Sequence, residues 1–246
     1  MNTTTELIFI LDQSSSMQGL VHETLEGYNS LLASQQQLGS SCRLTTVLFA
    51  DQPGIVHDRV DILQAKPMTA WDYQPRGYTA LLDALGMSIN RIGYLQKYSP
   101  QHQRAGKVMV AIITDGQENA SRHYRLPQIR RMIEHQRQRF GWEFIFLGAN
   151  MDAMHEAASY GIQPEHASDY IADSQGTDVS FSALSEVVVN FRQQRKDFTR
   201  QLDRIRQDQH ARRQQYFFRE QAPAHKSQTK HRDSSPPSAG QPSWQR

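Results

Sequence analysis

The sequence predicts an α/β fold: a doubly wound, mostly parallel sheet with one antiparallel edge strand, followed by a C-terminal helical extension and a disordered tail. Three observations predict it. Residues 7–11, 108–113 and 144–147 are apolar at consecutive positions, as strands must be when helices cover both their faces. Segments with apolar residues three and four apart alternate with those runs, and strands alternating with helices build parallel sheets. The first two runs then end on an aspartate followed by small polar residues or glycine, at the edge where such sheets bind ligands.

Taken in order, residues 1–5 lead directly into the first strand, without the basic and small-residue features of a secretion signal. No apolar run approaches the roughly twenty residues of a membrane span. A cytoplasmic location is therefore expected, and a single cysteine, Cys42, agrees with a reducing compartment. Beside the apolar run 44–49, Cys42 reads as a structural thiol. A first helix over 20–38 carries Leu20, Leu25, Tyr28, Leu31 and Leu32 on one face, and Gly39 ends it. Strands at 44–50 and 55–63 flank Asp51-Gln52-Pro53-Gly54, whose turn chemistry predicts a hairpin with the second strand antiparallel at the edge.

A loop over 68–78 leads to a helix over 79–98, and residues 100–106 form a polar surface connection. After the strand ending at Asp115, Pro127 fits the first turn of a helix that Gly141 closes. Residues 142–147 form a further strand, Asp152 caps a short helix to Tyr160, and 170–172 form a short last strand. From Phe181 the apolar positions Phe181, Leu184, Val188, Phe191, Phe198, Leu202 and Ile205 alternate by threes and fours. The first half packs on the sheet. The second half either forms a seam for a helical partner or self-association through 191–221, or folds back on its own domain. The cluster Tyr216, Phe217 and Phe218 offers a docking patch or anchors the helix end. Beyond Ala222, Pro, Ser, Gln, Lys and His predominate and disorder is expected. The chain divides as a domain at 1–190, a helical extension at 191–221 and a basic tail at 222–246.

Charge is uneven although the formal net charge is only +2: 13 of 27 Lys/Arg but 5 of 25 Asp/Glu lie from Arg192 onward. The body is acidic and the tail basic, which favours self-association, an acidic partner, or plain solvation of the tail.

Asp12, Ser14 and Ser16 follow the first strand as D-x-S-x-S. Alternate side chains there converge as the backbone turns, presenting hard oxygen donors with one formal charge. Taken alone, the motif also suits capping of the next helix. Two further segments add to it. Thr79 follows Arg76-Gly77-Tyr78 at the start of a helical pattern, and Asp115 ends the next buried strand before Gly116. Asp12, Ser14, Ser16, Thr79 and Asp115 would thus meet from three loops at one sheet edge.

In these motifs the chain resembles the von Willebrand factor type A (VWA) family over residues 5–190: D-x-S-x-S, then a threonine after glycine, then T-D-G. Residues 144–150 are similar to intracellular bacterial and phage members. The resemblance implies a Rossmann-like sheet and a metal-ion-dependent adhesion site. In it Mg2+, or Mn2+, is held by Ser14, Ser16 and Thr79, with Asp12 and Asp115 bound directly or through water. It also implies a free position that a Glu or Asp of an intracellular partner protein fills, and a role as adaptor or assembly component without catalysis.

Other readings remain beside this one. A Mg2+-dependent hydrolase or phosphatase would use Asp12 as nucleophile, but position 14 is Ser, where such enzymes carry a second acid to protonate the leaving group. Nucleic acid could bind the basic tail, which lacks the interleaved aromatics of a stacking platform. No G-x-x-x-x-G-K-[ST] loop is present. Glu118 and Asn119 either reach the ion's outer shell or are solvent-exposed loop residues. Trp71, Tyr73 and Tyr78 either contact a partner or pack in the core. His123, His135, His155 and His166 show no zinc spacing and read as surface residues.

Overall fold

A computed structural model describes residues 4–195 and 198–221, and for 215–221 the backbone only. Its strands are β1 (Thr5–Asp12), β2 (Cys42–Phe49), β3 (Pro53–Asp61), β4 (Lys107–Thr114), β5 (Glu143–Ala149) and β6 (Ala167–Tyr170). Its helices are α1 (Val21–Gln36), α2 (Leu81–Tyr98), α3 (Leu126–Phe140), α4 (Ala153–Ser159), α5 (Ser174–Arg192) and α6 (Thr199–Gln221). The sheet order is β3-β2-β1-β4-β5-β6, and only β2–β3 is antiparallel.

Every residue of β1 is buried, which explains its unbroken apolar run. Leu7, Phe9 and Leu11 join one core layer with α1, α5 and α6; Ile8 and Ile10 join the other with α2, α3 and α4. Two-residue periodicity therefore sorts one strand between two layers. The chain leaves β1 toward one face and β4 toward the other. Between these neighbouring strands the winding reverses, and a crevice opens at their carboxyl ends.

Local chemistry fixes the helix ends. Gly141 ends α3 at φ 64°, where a side chain is strained. Asp152 caps α4 by accepting from the His155 amide at 3.0 Å, and Asp173 caps α5 by accepting from Gly176 at 2.8 Å. Helices α1 and α5 touch closely at Gly27, where a Cβ would lie 2.5 Å from the Phe181 ring.

The hairpin places β3 at the edge, as expected. A bulge at Arg59, with φ 49°, bends it away from regular pairing. Arg59 then reaches across β2 to the fully buried Glu6 of β1, with contacts of 2.9 to 3.1 Å. Cys42 is buried, which pushes its thiol up to about 12 and keeps it inert.

Two expectations shift. The last strand is Ala167–Tyr170, three residues earlier than expected, because pairing with Phe146–Ala149 buries Ser168 and leaves Asp169 half-buried. The boundary expected at 190/191 falls inside α5. Beyond a turn in which Gln194 takes φ 63°, α6 folds back along α5 and β6. Phe198, Leu202 and Ile205 are buried there, so this apolar face packs against its own domain. Arg206 donates to the Ala167 carbonyl at 2.7 Å, occupying the open edge of β6. The expectations for the tail, 222–246, and for the side chains of Tyr216, Phe217 and Phe218 lie outside the described residues. Among the described residues no helix is long and apolar enough to cross a membrane.

Candidate metal centre

The crevice between the ends of β1 and β4 receives all five candidate oxygens. Asp12 is the last residue of β1, 1% exposed, and its Oδ1 accepts from the Ser14 amide at 2.7 Å. This turn swings Ser14 and Ser16 back over the strand end, their hydroxyls 3.0 Å apart. Ser16 is exposed, and its hydroxyl donates to Asp115 Oδ1 at 2.6 Å. Thr79 is buried beside Gly116: a Cβ on that glycine would stand 2.9 Å from Thr79 Oγ1 and 3.8 Å from Asp12 Oδ2. Any larger residue at 116 would fill the space between them.

Electrostatics match the crowding. Burial raises the Asp12 carboxyl above its ordinary value, against hydrogen bonds from Thr114 and Ser14 that pull it down. Burial likewise raises Asp115, with the Ser16 hydroxyl opposing. Two desolvated carboxylates held close favour a proton or a cation between them. Among the described residues no three His, Cys, Asp or Glu side chains gather to hold a metal ion. An ion here would depend on the hydroxyls, and hard oxygens with two carboxylates suit Mg2+ or Mn2+.

Sequence reasoning missed the residues that hold this arrangement. Thr114 ends β4 and donates to Asp12 Oδ2 at 2.6 Å; its place before Asp115 in T-D-G was the available signal. Tyr73 is core, as one of its two readings had it, and its hydroxyl donates to the Asp12 carbonyl at 2.6 Å. Gln13 donates to the Gln74 carbonyl at 2.8 Å, and the Arg76 amide to the Gln13 carbonyl at 2.9 Å. These bonds knit the loop before Thr79 onto the loop after Asp12. Trp71 and Tyr78 of that loop stay exposed, at 87% and 69%.

Glu118 and Asn119 act in a way that neither expectation included. Glu118 is half-buried; its Oε2 accepts from the Leu82 amide at 2.9 Å and from the Ser121 hydroxyl, while Oε1 accepts from the Ala120 and Ser121 amides. Its carboxylate thus closes the amino end of α2, where backbone amides lack partners. Asn119 is exposed, as one reading had it, yet its side chain accepts from the Thr79 amide at 2.9 Å and its own amide donates to the Thr79 carbonyl at 3.0 Å. Asp83 accepts from the amides of Arg122, His123 and Tyr124, each at 2.9 Å. The third loop is therefore fastened to the helix that Thr79 introduces.

No family model and no curated protein matches this sequence. Solved structures do match in fold. One is a von Willebrand factor type A protein from Catenulispora acidiphila, 12% identical, with a TM-score of 0.51 over 74% of this chain and 42% of that one. Another is the pilus adhesin SpaC from Lactobacillus rhamnosus GG, 12% identical, TM-score 0.58, covering 76% and 30%. A third is the PilB minor pilin from Streptococcus sanguinis, 10% identical, TM-score 0.53, covering 76% and 62%. The chain spans less than two thirds of each of these proteins.

Proposed function

We infer from a VWA-like fold, with five oxygen-bearing side chains at its switch point, that this chain is a metal-dependent protein-binding module. In this reading Mg2+, or Mn2+, is held by Asp12, Ser14, Ser16, Thr79 and Asp115. The ion supplies a Lewis-acidic position for a Glu or Asp of a partner protein. Convergence of the three loops on Gly116 is the observation that carries it: Thr79 and Asp12 both approach that residue, and Ser14, Ser16 and Asp115 join them through hydrogen bonds.

The chain's own residues set up the site. Thr114 and the Ser14 amide orient the Asp12 carboxylate, Tyr73 holds its backbone, and Asn119 fixes Thr79. Because these groups are fastened before any ion arrives, little ordering would oppose binding. The module works by recruitment and not by turnover, in the cytoplasm, as an adaptor or assembly component.

Calorimetric titration with Mg2+ and Mn2+, together with partner capture in the presence and absence of EDTA, tests this reading. Metal-dependent capture is expected. Failure to bind either ion with the partner present would reject it, and Mg2+-dependent hydrolysis of phosphate esters that is lost in Asp12→Asn would replace it with an enzyme.

A further inference from the structure

We propose that the partner presents a run of carboxylates, one for the metal and its neighbours for Arg76, Arg122 and Arg125. This rests on the metal reading above. The three arginines lie in the loops that bear the site: Arg76 three residues before Thr79, and Arg122 and Arg125 in the loop that follows Asp115. All three are exposed, and none of their guanidinium groups makes a hydrogen bond or ion pair among the described residues. Four other arginines, Arg59, Arg91, Arg204 and Arg212, pair with carboxylates of the chain itself, while the exposed Arg131 and Arg139 of α3 do not.

The acids of the same edge are held by backbone amides, and none of them pairs with these arginines. Asp51 accepts from Tyr78 at 3.0 Å, Asp72 from Thr69 at 2.8 Å, Asp83 from three amides of the Asp115 loop, and Glu118 from three more. Asp152 and Asp173 cap helices. A body that is acidic as a whole thus offers unpaired guanidinium groups around its cation site. Arginine forks match carboxylates in geometry as well as charge, and a divalent ion beside them adds to the same field. A partner with one isolated acid would fill the ion's open position and leave the arginines unanswered. Trp71 and Tyr78, exposed in the loop that bears Arg76, supply apolar area against which such a segment can lie.

Fluorescence anisotropy with two labelled ten-residue peptides tests this, one of glutamate throughout and one with a single glutamate among serines, in saturating Mg2+ at low salt. The oligoglutamate should bind about tenfold more tightly, as three exposed charge pairs of modest strength would give. The triple variant Arg76→Gln, Arg122→Gln, Arg125→Gln should lose that advantage. It should keep the single-glutamate affinity and the calorimetric Mg2+ titration, since these side chains hold nothing in the fold. Equal affinity of the two peptides for the native protein, or an advantage that survives in the variant, would overturn the proposal and leave the metal reading standing. Absence of Mg2+ binding in the native protein would overturn the metal reading, and this proposal with it. Tighter, EDTA-resistant binding of a single-stranded oligonucleotide through the same arginines would also overturn it, in favour of a nucleic-acid surface.

Discussion

Replacing Asp12 by asparagine separates the metal's contribution from the fold's. Asp12 is almost fully buried, and burial raises its carboxyl above its ordinary value, so the charged form costs more here than on an exposed carboxylate. An asparagine of the same shape removes that charge. Its carbonyl can still accept from the Ser14 amide, as Oδ1 does at 2.7 Å. Where Oδ2 now accepts from Thr114, the new amide would donate instead, and the Thr114 hydroxyl can turn to the Gly116 carbonyl at 3.0 Å. The loss of one charge-assisted bond is offset by the loss of a desolvated charge, so stability without metal should stay within about 1 kcal/mol of the native protein. The native protein at about 100 times its metal Kd should gain about 2.7 kcal/mol. For a domain of this size that raises Tm by about 5 to 10 °C. Thermal unfolding with and without Mg2+ should therefore show similar midpoints without the ion and a rise for the native protein alone. An equal rise in Asp12→Asn would refute the assignment of Asp12 as a ligand. A variant about 3 kcal/mol less stable without metal would instead make Asp12 a structural residue.

Truncating Leu202 to alanine in α6 should cost about 2 to 5 kcal/mol in urea unfolding, because the side chain is buried in the α1–α5 layer; a neutral result would show that α6 does not pack there. Glu118→Ala leaves the amino end of α2 and the Ser121 turn without their acceptor, and should cost about 1 to 2 kcal/mol while weakening metal binding through Thr79; unchanged stability would refute its fastening role. For pH, burial holds His57 below its ordinary value, the Lys66 carbonyl opposing. The native state thus favours the neutral ring, with Nε2 donating to the Lys66 carbonyl at 2.9 Å and Nδ1 facing the Thr46 hydroxyl at 3.0 Å. This stability is present above the unfolded value of about 6.5 and is lost as pH falls from there toward the lower folded value. The urea midpoint should drop as pH falls below about 6.5, and His57→Gln, which keeps a donor for Lys66, should flatten that drop; an identical pH profile in the variant would refute it.

Much of the sheet was legible because burial on both faces leaves a direct mark on composition. The runs in β1, β4 and β5 suit central strands, and the acids at the ends of β1 and β4 emerge together because those strands are parallel neighbours. The hairpin was legible from Asp51-Gln52-Pro53-Gly54, since turn chemistry acts within four residues. β6 was placed three residues late because its paired residues are half polar, and only its partner β5 and the covering α6 make Ser168 an interior residue. The fastening roles of Glu118 and Asn119 were not legible because their partners, Leu82 and Thr79, lie 36 and 40 positions away.

What the sequence determined by itself was the order of strands and helices and the five oxygen donors brought to one edge, because periodicity, turn residues and strand-end acids are local signals read off neighbouring positions. Only the tertiary structure decided that α6 folds back instead of extending, that Glu6 pairs with Arg59 across an intervening strand, and that Thr114, Tyr73 and Glu118 hold the site in place. An apolar helix face or a single carboxylate is compatible with many partners. Which one it takes depends on which distant surfaces the packed sheet brings within reach.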